Sequence, residues 1–353
     1  MDSASAVAPG LRGDYRVFVR RKKALLGVLA LLLMASFILD LAFGPVRLDF
    51  VEIARALIWP QDAPQQTRVV LWEIRLPVAL MAVIVGAALS VAGAQMQTIL
   101  NNPLASPFTL GISAAASFGA ALGLALGIGV FRSNAEYLLP INAFVMAMLA
   151  ALLVHVLSLR RGVTGETMVL LGIALSFTFN ALLALVQYLA SEQAVAAIVF
   201  WTMGSLTKAT WPKLGLTALA LVAVLPILAR RVWALTALRL GDEKAASFGI
   251  NVRRLRLETL ILVSFLAAFP VAFVGTIGFV GLVGPHVARM LIGEDQRFFL
   301  PASLLAGALL LSLSSLVSKL LIPGAIFPIG IVTSLIGIPF FISLILANRR
   351  RSW

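Results

Sequence analysis

The chain has 353 residues, 61% hydrophobic and 12% charged, with 28 basic and 15 acidic side chains and a formal net charge of +13. A soluble globule is about 45–50% apolar and about 25% charged, so a mean hydropathy of +1.01 excludes a soluble enzyme. No cysteine is present, which removes disulfides, Cys-ligated zinc and thiol catalysis, and two histidines leave little scope for a histidine metal site. In a membrane chain, basic excess reports topology before it reports nucleic acid, so no nucleic-acid partner is expected.

In chain order, a basic cluster over 12–23 precedes the first apolar run, 24–44. That run is long enough to cross a bilayer, and Phe43-Gly44-Pro45 makes a poor signal-peptidase site. Further runs cover 78–100, 109–131, 137–159, 168–190 and 214–229. The stretch 257–288 is too long for one straight crossing; Pro270, Gly275, Gly278, Gly281, Gly284 and Pro285 predict a long helix, a break and a short returning helix. Runs 299–317 and 329–347 complete ten spans, or nine if 257–288 crosses once. With the amino terminus inside, ten spans put 20 of the 28 basic residues on the cytoplasmic side, as the positive-inside rule requires. Ten is therefore favoured, with both termini cytoplasmic. Gly119, Gly123 and Gly127, with Ala115, lie on one helical face that would allow close helix packing.

The acids bear on the energy source. Ion-coupled carriers usually hold an acid near the bilayer midplane. Here Asp40, Glu166 and Glu258 fall at span ends and the other twelve acids in loops or tails. His155 lies one turn from Arg160-Arg161 and reads as interfacial. No Gly-Lys pair occurs, so the chain has no phosphate loop of its own. Uphill movement would then draw on another chain through a cytoplasmic surface. The segment 238–256 is a candidate: Asp242 and Glu243 start a short helix, Phe248-Gly249 ends it, and a second short helix with Arg253, Arg254 and Arg256 follows. Such a pair could fill a groove on a partner; an ordinary basic loop fits the residues equally well.

The sequence resembles the FecCD family of bacterial ABC-importer permeases for ferric siderophores, haem and cobalamin. The matching stretches are Arg75-Leu76-Pro77, 86–93, Asn102 to Pro107, Leu110 to Ser113, Trp201 to Gly204, Leu240 to Gly249, Gly278 to His286 with Arg289, and Pro328 to Gly330 with Gly337 to Phe340. They run in the family's order from about residue 70 to residue 347. The resemblance implies an all-α polytopic membrane protein of ten transmembrane helices, like the cobalamin-importer permease, dimeric around a central pathway. It implies a cytoplasmic tail 1–23, a single permease domain 24–347 and a tail 348–353 in the bacterial inner membrane. The implied partners are a second permease subunit (a homodimer), two cytoplasmic ATPase subunits, a periplasmic substrate-binding protein and membrane lipid. ATP and magnesium would be bound by the ATPases, with no cofactor, metal or catalytic residue on this chain.

By the same resemblance, 240–256 is the ATPase-coupling element, with Gly241, Asp242, Glu243, Lys244, Phe248, Gly249, Arg253 and Arg254 as its residues. Asn102, Pro103, Leu104, Gly165 and Glu166 match a cytoplasmic gate. Arg75 and Lys319 match basic positions that receive acids of the binding protein, read here as exposed cations that would steer an acidic partner; a snorkelling interfacial arginine is the alternative for Arg75. Four departures stand out: Val78 replaces a basic residue, Ser315 an aspartate, Ile326 a glutamate, and Lys319 an arginine, which loses bidentate geometry. The implied function is a non-enzymatic permease subunit carrying a ferric siderophore or related iron chelate by ATP-driven alternating access. Haem or cobalamin cargo, and an ion-coupled secondary transporter, are the rivals.

Overall fold

The computed structural model describes residues 9–45, 48–129, 135–158, 165–322 and 325–348, and these form helices and connections without a strand. Arg47, Arg132, Arg160, Arg161 and Arg349 to Arg351, all used in the charge count, lie outside the described residues. Among the described residues, seven helices are long and apolar enough to cross a bilayer, and three shorter apolar helices bring the set to the expected ten.

The first helix, α1 (Pro9–Ala42), is longer than its apolar run and takes in the basic cluster of 12–23. A surface turn follows: α2 (Phe50–Ile58), α3 (Gln65–Val69) and a π-helical turn (Val70–Arg75) lead directly into α4 (Leu76–Ile99). The third run shrinks to α5 (Ile112–Leu126), because 100–111 is an irregular loop and Gly127 ends the helix in the left-handed region. Next come α6 (Ala135–Ser158), α7 (Gly165–Leu189), a short α8 (Glu192–Thr202), α9 (Trp211–Arg230), α10 (Val232–Leu238) and α11 (Asp242–Ser247). The long apolar stretch divides as expected into α12 (Val252–Val274) and α13 (Val280–Ile292). The break is confined to 275–279, however, and Pro270 and Pro285 lie inside helices. Helices α14 (Gln296–Leu320) and α15 (Ile329–Asn348) close the chain.

Helix α4 is the axis. Most of its apolar window is buried, against under a quarter for α1 and α7, whose apolar faces remain open. Between helices in lipid, packing rather than water exclusion drives association, so close backbone approach matters. Gly86, Ser90 and Gly93 supply it along one face of α4. A Cβ on Gly93 would overlap the Gly281 carbonyl of α13, and one on Gly86 would overlap the Gly307 carbonyl of α14. The stripe on α5 is used in part: Gly119 meets the Asn142 backbone and Gly123 the Leu139 side chain of α6, whereas Gly127 is the helix cap.

Candidate functional site

At one end of the bundle the polar side chains converge on the last turns of α4. Arg256, in the second turn of α12, donates through Nε to the Ile99 carbonyl at 2.7 Å and through Nη2 to both carboxylate oxygens of Asp242 at 3.0 and 3.1 Å. Arg239, just after α10, donates to Asn101 Oδ1 at 3.0 Å and pairs with Glu294. Arg289 of α13 donates to Gln97 Oε1 at 2.8 Å and pairs with the same Glu294 at 3.0 Å. Beneath them Gln296, almost fully buried, bridges Thr98 Oγ1 at 2.9 Å and Gln95 at 3.0 Å. Three arginines from three elements thus hold one helix end. Charge-assisted bonds of this kind are the stronger class.

This geometry locates the expected coupling residues. Gly241 takes φ +103 to start α11, Ala245 is the buried anchor, and Asp242, Glu243, Lys244 and Phe248 are exposed. Gly249, at φ +79, turns the chain toward α12, whose first turn is capped by the Asn251 side chain on Arg254 N at 3.0 Å. The expected second short helix is corrected here. Arg253, Arg254 and Arg256 sit in the first turns of a continuous 23-residue helix, because the apolar sequence after Glu258 lets the helix run on. Arg254 pairs with Glu258 at 2.6 Å along the helix, a fourth-neighbour contact.

The expected gate residues lie beside the network. Asn102 closes an Asx turn by accepting from Leu104 N at 2.9 Å, and Pro103 and Leu104 continue the loop after α4. Gly165 starts α7 against the carbonyl of Leu100, where a Cβ would come within 2.8 Å of the oxygen, and Glu166 is exposed. The two gate segments therefore meet, and the Asn101 bond to Arg239 joins them to the network. Arg256 falls within the expected 240–256 element, whereas Arg239, Arg289, Glu294 and Gln296 complete the network without having been singled out as site residues. The signals were a charge concentration over 230–256, Arg289 beside the Gly278 to His286 stretch, and single charges near the ends of α13 and α14.

At the opposite end, Arg75 and Lys319 are not the exposed cations expected. Arg75 is 5% exposed and donates to the carbonyls of Leu41 and Ala42 at 2.6 and 3.0 Å, capping the end of α1. Lys319 pairs with the fully buried Asp40 at 2.9 Å, and Ser315 donates to the other carboxylate oxygen at 3.2 Å. Burial in a low-dielectric surround explains both: each cation is bound where an opposite charge or a helix C-terminus offsets it. Asp40 of α1 supplies the carboxylate that Ser315 lacks. Val78, Ser315 and Ile326, three of the departures, line a single cavity of about 220 Å³ together with Arg75 and Lys319.

A larger cavity, about 650 Å³, runs along α15 between the 100–111 loop, the end of α8 and the break at 275–279. Three irregular segments meet at its upper rim. Ser205 N donates to Val274 O at 2.7 Å, Gly330 N to Met203 O at 3.0 Å, and Thr276 Oγ1 to Thr202 O. Several of its hydroxyls are spent on backbone carbonyls: Thr109 on Ser106 at 2.9 Å, Thr202 on Val199 at 2.8 Å and Ser334 on Gly330 at 2.7 Å. Irregular backbone at membrane depth is tolerated where it lines such a cavity.

The pattern that decides the family extends over most of the chain: residues 32–347 match the FecCD transport family. The chain belongs to that family. Among curated relatives, the hemin transport system permease HmuU of Yersinia pestis is 35% identical over 93% of this chain and 97% of its own length. The Fe(3+)-citrate import permease YfmE of Bacillus subtilis is 32% identical over 94% of this chain and 98% of its own. A solved inward-facing ABC transporter, described as of metal-chelate type, superposes with a TM-score of 0.81 at 32% identity over 92% of this chain and 99% of that one. This FecCD chain is an integral membrane protein, and its fold is that of an ABC-importer permease.

Proposed function

We propose that the chain is the permease subunit of an ATP-driven importer for a ferric siderophore or related iron chelate, working in the bacterial inner membrane as one domain over 24–347. The observation that carries this is the network joining α11 to the end of α4: Asp242 to Arg256 to Ile99, beside Arg239 to Asn101. A force on exposed Glu243, Lys244 and Phe248 from a cytoplasmic ATPase reaches the end of α4, which the 100–104 loop continues, through one arginine. That loop and Gly165 form the cytoplasmic gate, and the cavity along α15 is half of a pathway completed by a second copy of the chain. ATP and magnesium belong to the ATPase, and a periplasmic binding protein delivers the cargo. Docking through Arg75 and Lys319 is set aside because both are buried.

The cavity wall supports a large, apolar-faced cargo. Its hydroxyls bond their own backbone, so the wall sheathes rather than grips, which suits a chelate that must be released. Haem fits the same wall, and the hemin relative keeps it as the second reading. Ion coupling is disfavoured by the place of Asp40: it lies two residues from the end of α1 and is already paired with Lys319. The test is reconstitution with the ATPase and binding protein. The Asp242→Arg, Glu243→Arg double variant is expected to abolish chelate uptake while ATP hydrolysis continues; uptake driven by an ion gradient without ATPase overturns the reading.

A further inference from the structure

We infer that Phe279 is the constriction of the pathway, an aromatic plug held in place by backbone strain. This rests on the pathway reading of the cavity along α15. Phe279 caps α13 with φ +65 and ψ −28, the left-handed region that a bulky side chain rarely occupies. Neighbouring Gly278 would adopt that conformation freely, yet its φ is not positive; the strain falls on the aromatic. Strain of this kind persists only where the surroundings enforce it. They do so here from both sides. The Phe279 carbonyl accepts from Val283 N at 2.7 Å and starts α13, and Gly281, two residues on, is wedged against the Leu89 carbonyl of α4, where a Cβ would stand 2.9 Å from the oxygen.

The result is to press the ring against α15 in the wall of the cavity. Gly337 of α15 receives it: a Cβ there would overlap the Phe279 side chain. Position 337 lies seven residues below Gly330 at the cavity's upper rim, about 10 Å at 1.5 Å per residue, and four above Phe341 at its floor. The ring is thus near mid-cavity, flanked by Leu282, Ile331, Leu335 and Ile338, with the hydroxyl-bearing residues Thr202 and Thr276 above and Ser106 and Thr109 below. In the pathway completed by a second copy, this ring and its counterpart narrow an apolar girdle that excludes hydrated ions and small polar solutes and yields to a cargo with apolar faces wide enough to push the rings aside. The crevice on the other side of the ring, about 20 Å³, is far smaller than the cavity the ring lines.

The chain's lack of cysteine makes the test clean. Two single-cysteine reporters, Met203→Cys above the ring and Leu104→Cys below it, are made in the full chain reconstituted with its ATPase. Each is labelled with a membrane-impermeant maleimide from the periplasmic side. The Met203→Cys reporter is expected to label in every background, and the Leu104→Cys reporter only when Phe279→Gly or Phe279→Ala is added. Phe279→Gly, which relieves the strained φ, is expected to keep or raise thermal stability, whereas Phe279→Ala, which opens the girdle but keeps the strain, melts lower. If the upper reporter does not label, the pathway reading fails. If the upper reporter labels but the lower one stays protected in folded Phe279→Gly and Phe279→Ala proteins, or labels equally with Phe279 intact, the plug is wrong.

Discussion

The two ends of the molecule use buried and half-buried charge in opposite ways. At the end carrying α11, two groups of charges are tied to the tip of α4, Asp242 with Arg256 and Arg239 with Glu294 and Arg289, and Asp242 and Glu294 keep contact with solvent. At the far end, Arg75, Asp40 and Lys319 lie buried in a largely apolar corner, Arg75 held by the carbonyls that end α1 and Lys319 paired with Asp40. An open network can transmit a displacement, because water compensates each partner as it moves. A sealed pair cannot part without leaving a charge in low dielectric, so it acts as a fixed staple between α1 and α14.

The sharpest way to break that contrast is at the staple. Lys319→Met leaves Asp40 buried and unpaired, and is expected to cost about 3–5 kcal/mol, read as a large fall in thermal stability in detergent. Adding Asp40→Asn removes the stranded charge and is expected to recover most of it; a double variant as unstable as the single would show that the pair's geometry, rather than its charge, holds the corner. Arg256→Gln should behave in the opposite sense. Asp242 is more than half exposed but Arg256 also holds the Ile99 carbonyl, so the stability loss is expected to be about 1–2 kcal/mol, smaller than at the staple, while the ATP hydrolysed per chelate imported rises sharply. Equal stability losses at the two ends would erase the distinction.

The smallest effect concerns Asp295, which caps α14 and pairs with Arg297 at 2.6 Å. The Arg297 side-chain bond holds its carboxyl below the usual range. A lowered carboxylate pKa contributes stability that is present above the unfolded value and lost as pH falls through the folded one. The melting difference between wild type and Asp295→Asn should therefore be constant around neutrality and begin to close only below about pH 3.9, the ordinary aspartate value. A difference that stayed constant through the acid range would mean that the bond does not perturb the group.

How much of this was legible in the chain follows from what each signal depends on. Apolar runs are local, so the spans over 168–190, 214–229, 299–317 and 329–347 coincide with α7, α9, α14 and α15 to within a few residues. The split of 257–288 was legible because Gly275 and Gly278 interrupt it; its confinement to 275–279 was not, since Pro270 and Pro285 are accommodated within helices. The short helix of 242–247 showed in its acids and its glycine stop. The second short helix was misread because nothing local marks where a basic amphipathic turn becomes the foot of a membrane span.

The sequence by itself determined that the chain lives in a bilayer, how often its apolar segments can cross it, and which family it belongs to, because length, hydropathy and ordered motifs are properties of neighbouring residues. Tertiary structure alone decided which charges are inside. Arg75 and Lys319 look like surface cations in a linear reading, and become buried because α1 ends beside them and brings carbonyls and Asp40 from more than thirty and more than two hundred positions away. The strained turn at Phe279 is likewise invisible in one dimension: a φ is imposed by what packs on both sides of it, and here that is α4, α13 and α15 together.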